Sequence, residues 1–571
     1  MKFHNMDNWI DGFRHDGLLY FTHRIQEMLF YYTDNMYKTP VLNTYMLIKE
    51  YIETVKLVKE KTINDQHLRY IMDEFKDTMK TDIILIDRYG EDGVKKFLQR
   101  IETTSPVDQE KVMMYFHQLF YPYNLWCKEY LKKTVPNERE KKKIERALKC
   151  FIPGLLGAGY SHEFIYFFNR KVFFKSPVSS IEALDTFLDR FDYREKEYDV
   201  YVPVAKEAFK FRGILEKRMH VEFDFDAGIV DLKYDSEKYG IIKLTIEAYD
   251  ERSAANLAFD RLDLFFRFYD FIGDKRNTWM YNRSKVIDRK GNSAFVDLWN
   301  DGFDYSYRFR RQSLENISEG LITSLVTYAP KSFLVIDRAI KIHNIAISET
   351  DLSNGFLNLW SIFEILFVTE KNENKINEIE KKVLPILQKD YIHGLIEFLE
   401  DYITENVKKK DIDIFLKDNG LENDEHWLAK ITFIESYKSV REKLYIVLAD
   451  YPIIRSRISQ FAEHYSHMDG MLKDVERYSQ RIMWHFKRLY RTRNAIVHSG
   501  EIPLHLKELG EHLHSYVDDC MFEIALTLAN KRYLQTIDNV VLDVQIRGDD
   551  IMNYLRKKGD VTEDTIKFLF E

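Results

Sequence analysis

The sequence predicts a mainly α-helical chain with a central α+β module. Apolar residues recur every three or four positions over the first 150 residues and again in the last 260 or so, as in helices that bury one face. Between these stretches apolar and polar residues alternate, which is typical of strands. The predicted parts are an N-terminal helical region, an α+β module and a C-terminal helical domain, at residues 1–152, 153–311 and 312–571.

The composition indicates several folded domains in a reducing compartment. The 571 residues exceed one ordinary core, and the hydrophobic fraction of 45% argues against disorder. The N-terminal segment is too charged for a secretory signal, and no apolar run reaches the length of a membrane span. The cysteines, Cys127, Cys150 and Cys520, form no CxxC pair. We therefore expect a cytoplasmic protein with no membrane partner.

The net charge of −8 limits how this chain could bind nucleic acid. A protein that binds nucleic acid over its whole surface is normally basic, because its affinity comes from neutralised phosphates. Any RNA contact must therefore come from a local basic patch in a mildly acidic body. The net charge therefore argues against RNA binding over the whole surface but not against a site-specific nuclease.

The first two parts divide into helices and then strands. Helices are predicted from Phe21 to about Cys150, with a short apolar patch at 83–86 of undetermined type. In the module we expect one helix, at 254–271, and a hairpin around 288–292. Strands are predicted at 164–174, 199–205, 220–226, 228–235 and 241–250.

One predicted strand carries an acidic row, formed by Glu222, Asp224 and Asp226 on a single face. Such carboxylates could bind a divalent metal in a nucleotide-handling site. No Gly-Ser element precedes them, however, so a half-solvated strand is the favoured interpretation.

The candidate chemistry lies in a predicted helix near the C-terminus. Asn494 and His498 are four residues apart and share one face, and the long side chain of Arg493 can reach the same side. Gly500 suits a left-handed C-terminal cap, which places His498 in the last turn, where the helix dipole favours positive charge. RNA cleavage without a metal needs groups that take up and release protons and a cation beside the phosphate, roles that suit histidine and arginine.

A basic stripe precedes these three residues along the same helix. Its members recur at helical spacing and supply the local patch that the acidic body lacks. An ordinary solvated helix face is the alternative interpretation. The predicted RNA-binding residues are Arg481, His485, Arg488 and Arg491.

These motifs resemble the HEPN superfamily, in particular its ApeA-like branch from prokaryotic anti-phage proteins. The resemblance rests on the segment RNAIVHSG, at 493–500, and on the earlier segment LNLWSIFEILF, at 357–367. The two segments occur in the order expected for the family. A helical portion at about 370–480 is interpreted as an insertion between them.

The resemblance implies a helical bundle that forms a homodimer and cleaves RNA. It assigns Arg493, Asn494 and His498 as the catalytic residues. Glu364, and with it Tyr490, is assigned a supporting role, although a carboxylate satisfied by an arginine is the simpler interpretation of Glu364. From their size and position, the first 311 residues are expected to be a sensing region that keeps the nuclease inactive until a phage-derived trigger or regulatory partner acts.

The sequence therefore predicts a metal-independent endoribonuclease with an RNA substrate, acting by 2′-OH attack in antiviral, abortive-infection or toxin-type defence. No cofactor is expected. A metal site at His498, His505, His512 and His514 is disfavoured, because the cap at Gly500 interrupts the helix that would align them. The alternative function is a non-catalytic scaffold that dimerises and binds RNA or a partner protein.

Overall fold

The computed structural model describes most of the chain and divides it into two compact units. One unit combines Met1–Pro153 with Gly302–Glu571, and the other is Gly154–Asp301. The described residues are mainly helical and include one five-stranded antiparallel sheet, which confirms the predicted fold class. The helical regions at the two ends of the chain, predicted as separate parts, thus share one unit. The structure describes every residue except 11, 31–32, 34–36, 106–107, 224–229, 274–278, 298–325, 328, 350, 369–374, 504, 532 and 571.

The N-terminal part of the first unit consists of helices, as predicted. The apolar patch of undetermined type begins a helix, because the side chain of Asp82 accepts hydrogen bonds from the amides of Ile84 and Leu85. This helix is kinked at Gly90, whose φ of 71° is outside the helical range. The helices are α1 (Asp16–Leu29), α2 (Thr44–Lys59), α3 (Gln66–Thr81), α4 (Ile83–Glu102), α5 (Gln109–Leu119), α6 (Tyr123–Thr134) and α7 (Lys141–Leu156).

The second unit contains the sheet, in the order β2-β3-β1-β4-β5. The helix α11 packs on one face, where its alanines meet the buried valines and leucines of the strands. The hairpin predicted at 288–292 is confirmed, because β4 and β5 pair antiparallel around it. The elements are α8 (His162–Arg170), α9 (Ala183–Asp189), β1 (Lys196–Ala205), α10 (Arg212–Met219), β2 (Val221–Glu222), β3 (Tyr239–Ala248), α11 (Glu251–Gly273), β4 (Arg283–Asp288) and β5 (Ser293–Asp297).

Two of the predicted strands in this unit are wrong. Residues 164–174 form the end of α8 and a following π-helical turn, since Ser161 caps the helix and Phe164 stacks on Phe168 one turn later. The described part of 228–235 is irregular. In residues 164–174 the aromatic residues recur at both helical and strand spacing, so the pattern is compatible with either structure. In the folded chain these rings pack on neighbouring aromatic rings as part of a helix.

The C-terminal part of the first unit is built around one hydrophobic core. Among the described residues, the helices that contribute to this core are Pro330–Ser348, Leu352–Phe367, Lys375–Lys389, Met468–Ser499, Leu506–Asn530 and Ile537–Leu555. The helices are α12 (Pro330–Ser348), α13 (Leu352–Phe367), α14 (Lys375–Lys389), α15 (Tyr391–Asn406), α16 (Lys409–Asp418), α17 (Trp427–Phe433), α18 (Lys438–Val447), α19 (Pro452–Tyr465), α20 (Met468–Ser499), α21 (Leu506–Asn530), α22 (Ile537–Leu555) and α23 (Glu563–Phe570).

The core shows where the predicted insertion differs from the structure. Ile379 and Val383 of α14 are fully buried in the same core as α13 and α20, so α14 belongs to the bundle. The helices between the two motif segments that do not contribute to this core are α15–α19.

The long helix α20 carries the candidate site and has a clear apolar side. Ile482, Phe486 and Leu489 follow one another at spacings of four and three residues and are buried in the core. The helix ends at Gly500, whose φ of 68° is the left-handed conformation that glycine adopts without strain. The predicted helix end is therefore confirmed. Among the described residues, no helix is long and apolar enough to cross a membrane.

Candidate active site

The three predicted catalytic residues lie in the last two turns of α20, in different environments. His498 is exposed in the final turn, Arg493 is partly exposed, and Asn494 is buried. The Arg493 guanidinium donates a hydrogen bond from Nη1 to Asn494 Oδ1 over 3.2 Å. In this structure Asn494 therefore orients the arginine. His498 remains accessible to a large polyanionic substrate.

A second helix of the bundle supplies the supporting carboxylate. Glu364 of α13 lies with Oε1 3.8 Å from Arg493 Nη2, and the indole of Trp360 donates to the same oxygen over 3.3 Å. Lys375 Nζ lies 3.9 Å from the other carboxylate oxygen. The structure thus brings together the two motif segments, and it places Glu364 where it can hold the guanidinium in position.

Tyr490 is one turn before Asn494 and lies between two aromatic rings. Its ring is 5.9 Å from that of Trp360 and 5.9 Å from that of His67 of α3, with the His67 ring stacked at 23°. Burial, reinforced by the charges of Arg491 and Lys487, lowers the pKa of His67 to about 4. His67 is thus neutral near pH 7 and acts as a packing partner for Tyr490.

A polar cavity of about 850 Å³ adjoins the site on the side of Asn494. Its lining includes Lys61, Tyr70, Asn377 and Lys487. A separate cavity of about 710 Å³ lies on the side of Glu364. The three predicted catalytic residues are therefore flanked by open space, as a site that receives a substrate requires.

The predicted basic stripe is corrected by the structure. Of its four members only Arg481 is exposed; His485, Arg488 and Arg491 are buried. The Arg488 guanidinium donates to both oxygens of Glu50 and, over 2.6 Å, to Glu74. These carboxylates belong to α2 and α3, and Arg491 also bonds Glu50, so two of the four residues bind the N-terminal helices of the same chain. Of the predicted stripe, Arg481 alone remains open to RNA.

The charges of Arg488 and Arg491 keep the Glu50 carboxylate ionised. Burial opposes the ionisation of Glu50, but the guanidinium groups of Arg488 and Arg491 outweigh burial and lower its pKa to about 2. Arg491 Nη2 donates to Glu50 Oε1 over 2.7 Å. Glu50 therefore stays ionised and holds both arginines.

The other histidines near the site are buried and neutral. Burial lowers the pKa of His485 well below its usual value, that of His505 to about 4 and that of His512 to about 3. His485 donates or accepts a hydrogen bond with the Tyr516 hydroxyl over 3.1 Å. His498, five residues after Arg493 on α20, is exposed, unlike these three histidines.

In the acidic row of the second unit, the described residue Glu222 has an ordinary structural role. Glu222 Oε2 accepts a hydrogen bond from Lys243 Nζ over 3.1 Å, across the pairing of β2 with β3. Asp224 and Asp226 lie outside the described residues. The visible part of the row is a cross-strand ion pair at the edge of the sheet.

Comparison with known proteins adds no further assignment. Searches of protein families, curated proteins and solved structures found no match for this chain. The resemblance of the two motif segments to the HEPN superfamily therefore stays a prediction.

Sequence reasoning missed the part that the N-terminal helices play around the site. His67, Glu50 and Glu74 contact α20 from more than 400 positions away in the sequence. The available signal was the pairing of individual charged residues, since α20 carries arginines and α2 and α3 carry glutamates, although each of these two helices also carries at least as many basic as acidic residues. Such pairing is too common between helices to identify a contact without the tertiary structure.

Proposed function

We propose that this chain is a metal-independent endoribonuclease whose site lies at the C-terminal end of α20. The observation that carries the proposal is that the Arg493 guanidinium, held by Asn494 and Glu364, lies in the last two turns of α20 together with the exposed imidazole of His498. A positioned cation and an accessible acid–base group are two of the requirements for cleaving RNA without a metal.

The reaction follows from what each side chain can do. A base removes the proton of the 2′-hydroxyl, the 2′-oxygen attacks the adjacent phosphorus, and the bond from phosphorus to the 5′-oxygen breaks. An acid protonates the leaving 5′-oxygen, so the products are a 2′,3′-cyclic phosphate and a free 5′-hydroxyl. His498 takes one of the proton-transfer roles, and Arg493 stabilises the charge that develops on the phosphate oxygens.

One copy of the chain supplies a single exposed histidine at this site, whereas the reaction uses both an acid and a base. A twofold dimer with the ends of α20 facing each other would provide the second histidine. Two apolar side chains beside His498 are suited to such an interface, because Val497 and Ile502 are 48% and 61% exposed. We therefore include a homodimer in the proposal.

Disrupting this interface is expected to abolish cleavage without unfolding the chain. A Val497→Asp/Ile502→Asp variant would place two like charges across the twofold axis, and we expect it to be monomeric in sedimentation equilibrium. Its rate of RNA cleavage should fall by at least about 10²-fold, because each site then lacks a proton-transfer group.

An Ile446→Asp variant is the matched control, since Ile446 is 76% exposed on α18 and outside the site. It should keep the wild-type association state and activity. A Val497→Asp/Ile502→Asp chain that is monomeric and fully active would rule out the two-histidine arrangement.

The chemistry itself is tested with a substrate that lacks the attacking group. Purified wild-type chain is incubated in EDTA with RNA oligonucleotides and with the same sequences in 2′-deoxy form. We expect cleavage of the RNA alone, with cyclic phosphate ends identified by mass spectrometry. Cleavage of the 2′-deoxy strands, or loss of cleavage in EDTA, would contradict the mechanism. Binding of RNA without cleavage would favour the scaffold function instead.

The proposed biological setting is defence against phage, with a trigger or partner that acts through the N-terminal part of the chain. It is supported by the resemblance of the motif segments and by the packing of α2 and α3 on α20 through Glu50 and Glu74. Those helices are the elements placed to transmit a signal to the site.

A further inference from the structure

A cluster of three ligand-type side chains lies in the helical bundle, apart from the site of Arg493 and His498. His343 of α12 meets His514 and Asp518 of α21, and their nearest ligand atoms all lie within 4.8 Å of one another. His514 and Asp518 are four residues apart, so they project from the same face of α21. Among the described residues this is the one such group of three or more.

The ligand atoms converge on a common point. His343 Nε2 lies 2.9 Å from His514 Nε2 and 3.0 Å from Asp518 Oδ1, and His514 Nε2 lies 3.6 Å from Asp518 Oδ2. Each imidazole nitrogen offers one in-plane direction, so a single N–H of His343 cannot point fully at both neighbours. A cation at the centre accepts a lone pair from all three atoms at once.

The separations fit a metal ion in adjacent coordination positions. Two nitrogens that are each about 2.1 Å from an ion and at right angles to each other are separated by about 3.0 Å. The separations of 2.9 Å between the two imidazole nitrogens and 3.0 Å between His343 Nε2 and Asp518 Oδ1 therefore fit adjacent coordination positions, and the other carboxylate oxygen lies 3.6 Å from His514 Nε2. Two imidazoles and one carboxylate in such positions form a donor set used for divalent transition ions.

We propose that His343, His514 and Asp518 bind a divalent transition-metal ion, with open coordination positions for water or a further ligand. The side chains of His514 and Asp518 are 2% and 8% exposed, which keeps two ligands in fixed positions. That of His343 is 19% exposed, so an ion can enter from its side. The sequence analysis placed His514 in a different set, with His498, His505 and His512, and it did not bring in α12.

The metal site is independent of the proposed ribonuclease reaction, which uses no ion. Cleavage of RNA in EDTA and binding of metal are separate measurements on the same chain. Either result can fail without affecting the other.

The test is binding of cobalt and zinc by the full chain after it has been stripped with EDTA and dialysed. Co²⁺ is titrated and followed by its visible absorption, and bound Zn²⁺ is counted by elemental analysis. We expect one equivalent per chain, and a rise in melting temperature with added Zn²⁺, because an ion that binds the folded state stabilises it. Saturation at one equivalent in the wild type supports the site even where a variant fails to fold.

The variants His343→Gln and Asp518→Asn remove one ligand each, and circular dichroism checks their fold. Affinity for Co²⁺ should fall at least about 10-fold to 100-fold in both. His393→Gln is the control, because His393 is a 43%-exposed histidine on α15 outside the cluster. Wild type that binds no more metal than His343→Gln would overturn the proposal and leave the cluster as a hydrogen-bonded network within the bundle.

Discussion

Replacing His498 with Ala is expected to lower the rate of RNA cleavage in EDTA by about 10²-fold to 10⁴-fold, the contribution of a positioned acid–base group. The imidazole is exposed at the end of α20 and has no hydrogen-bond or ion-pair partner among the described residues. Its removal should therefore change the free energy of unfolding by less than about 0.5 kcal/mol. A large loss of activity with unchanged stability would separate a chemical role from a structural one.

The matched control is His393→Ala, which removes an exposed histidine from α15 by the same substitution. Both variants and the wild type are purified in parallel and assayed on total cellular RNA. His393→Ala should cleave at the wild-type rate. Equal cleavage by His498→Ala and the wild type would remove His498 from the mechanism and would point to a contaminating ribonuclease or to another residue.

Replacing Glu50 with Ala is expected to lower the free energy of unfolding of the first unit by about 3–5 kcal/mol. Glu50 accepts hydrogen bonds from Arg488 Nε and Arg491 Nη2 over 2.9 and 2.7 Å, and all three side chains are at most 12% exposed. Without the carboxylate, Glu74 remains as the sole ion-pair partner of Arg488 within the structure described. The loss is measured by pulse proteolysis along a urea series.

An exposed ion pair between two of the N-terminal helices, α2 and α5, provides the comparison. Glu110 accepts two hydrogen bonds from Lys59 Nζ, over 3.0 and 2.9 Å, but the lysine side chain is 65% exposed. Glu110→Ala should cost less than about 1 kcal/mol, because water replaces the lost contact. A similar loss in both variants would show that burial does not set the strength of the Glu50 contact.

The contribution of Glu50 should also depend on pH. Its pKa falls from the usual 4.5 to about 2 in the folded chain, so its ionised form stabilises the fold above pH 4.5 and this stabilisation is lost between about pH 4.5 and 2. Burial raises the pKa of Glu74, which acts in the opposite direction. The difference in urea midpoint between the wild type and Glu50→Gln measures the contribution of the Glu50 carboxylate alone. This difference should become smaller as the pH falls from about 4.5 to 2.

The sequence predicted local features well where a single helix or hairpin determines them. The end of α20 at Gly500 and the hairpin around Gly291 follow from backbone conformations that favour glycine. The spacing within α20 likewise placed Asn494 and His498 four residues apart on one helix. Such features depend on residues within a few positions of one another, so they can be predicted from the local sequence.

Segments whose apolar residues fit both helical and strand spacing were less predictable. Residues 164–174 are aromatic at both spacings, and they form a helix because Phe164 and Phe168 stack within the second unit. Similarly, α14 was assigned to an insertion, although Ile379 and Val383 complete the core of the bundle. Local pattern alone does not say which apolar face finds a partner.

The sequence by itself determined that the chain is mainly helical with a small α+β module, and it determined that α20 ends at Gly500 with His498 in its last turn. Only the tertiary structure decided what each charged side chain faces. In the fold Arg488 pairs with Glu50, and Arg493 contacts Asn494 and Glu364. His343 lies beside His514. The physical reason is that helical periodicity is a local property, whereas the partner of a buried charge is selected by packing between helices hundreds of residues apart.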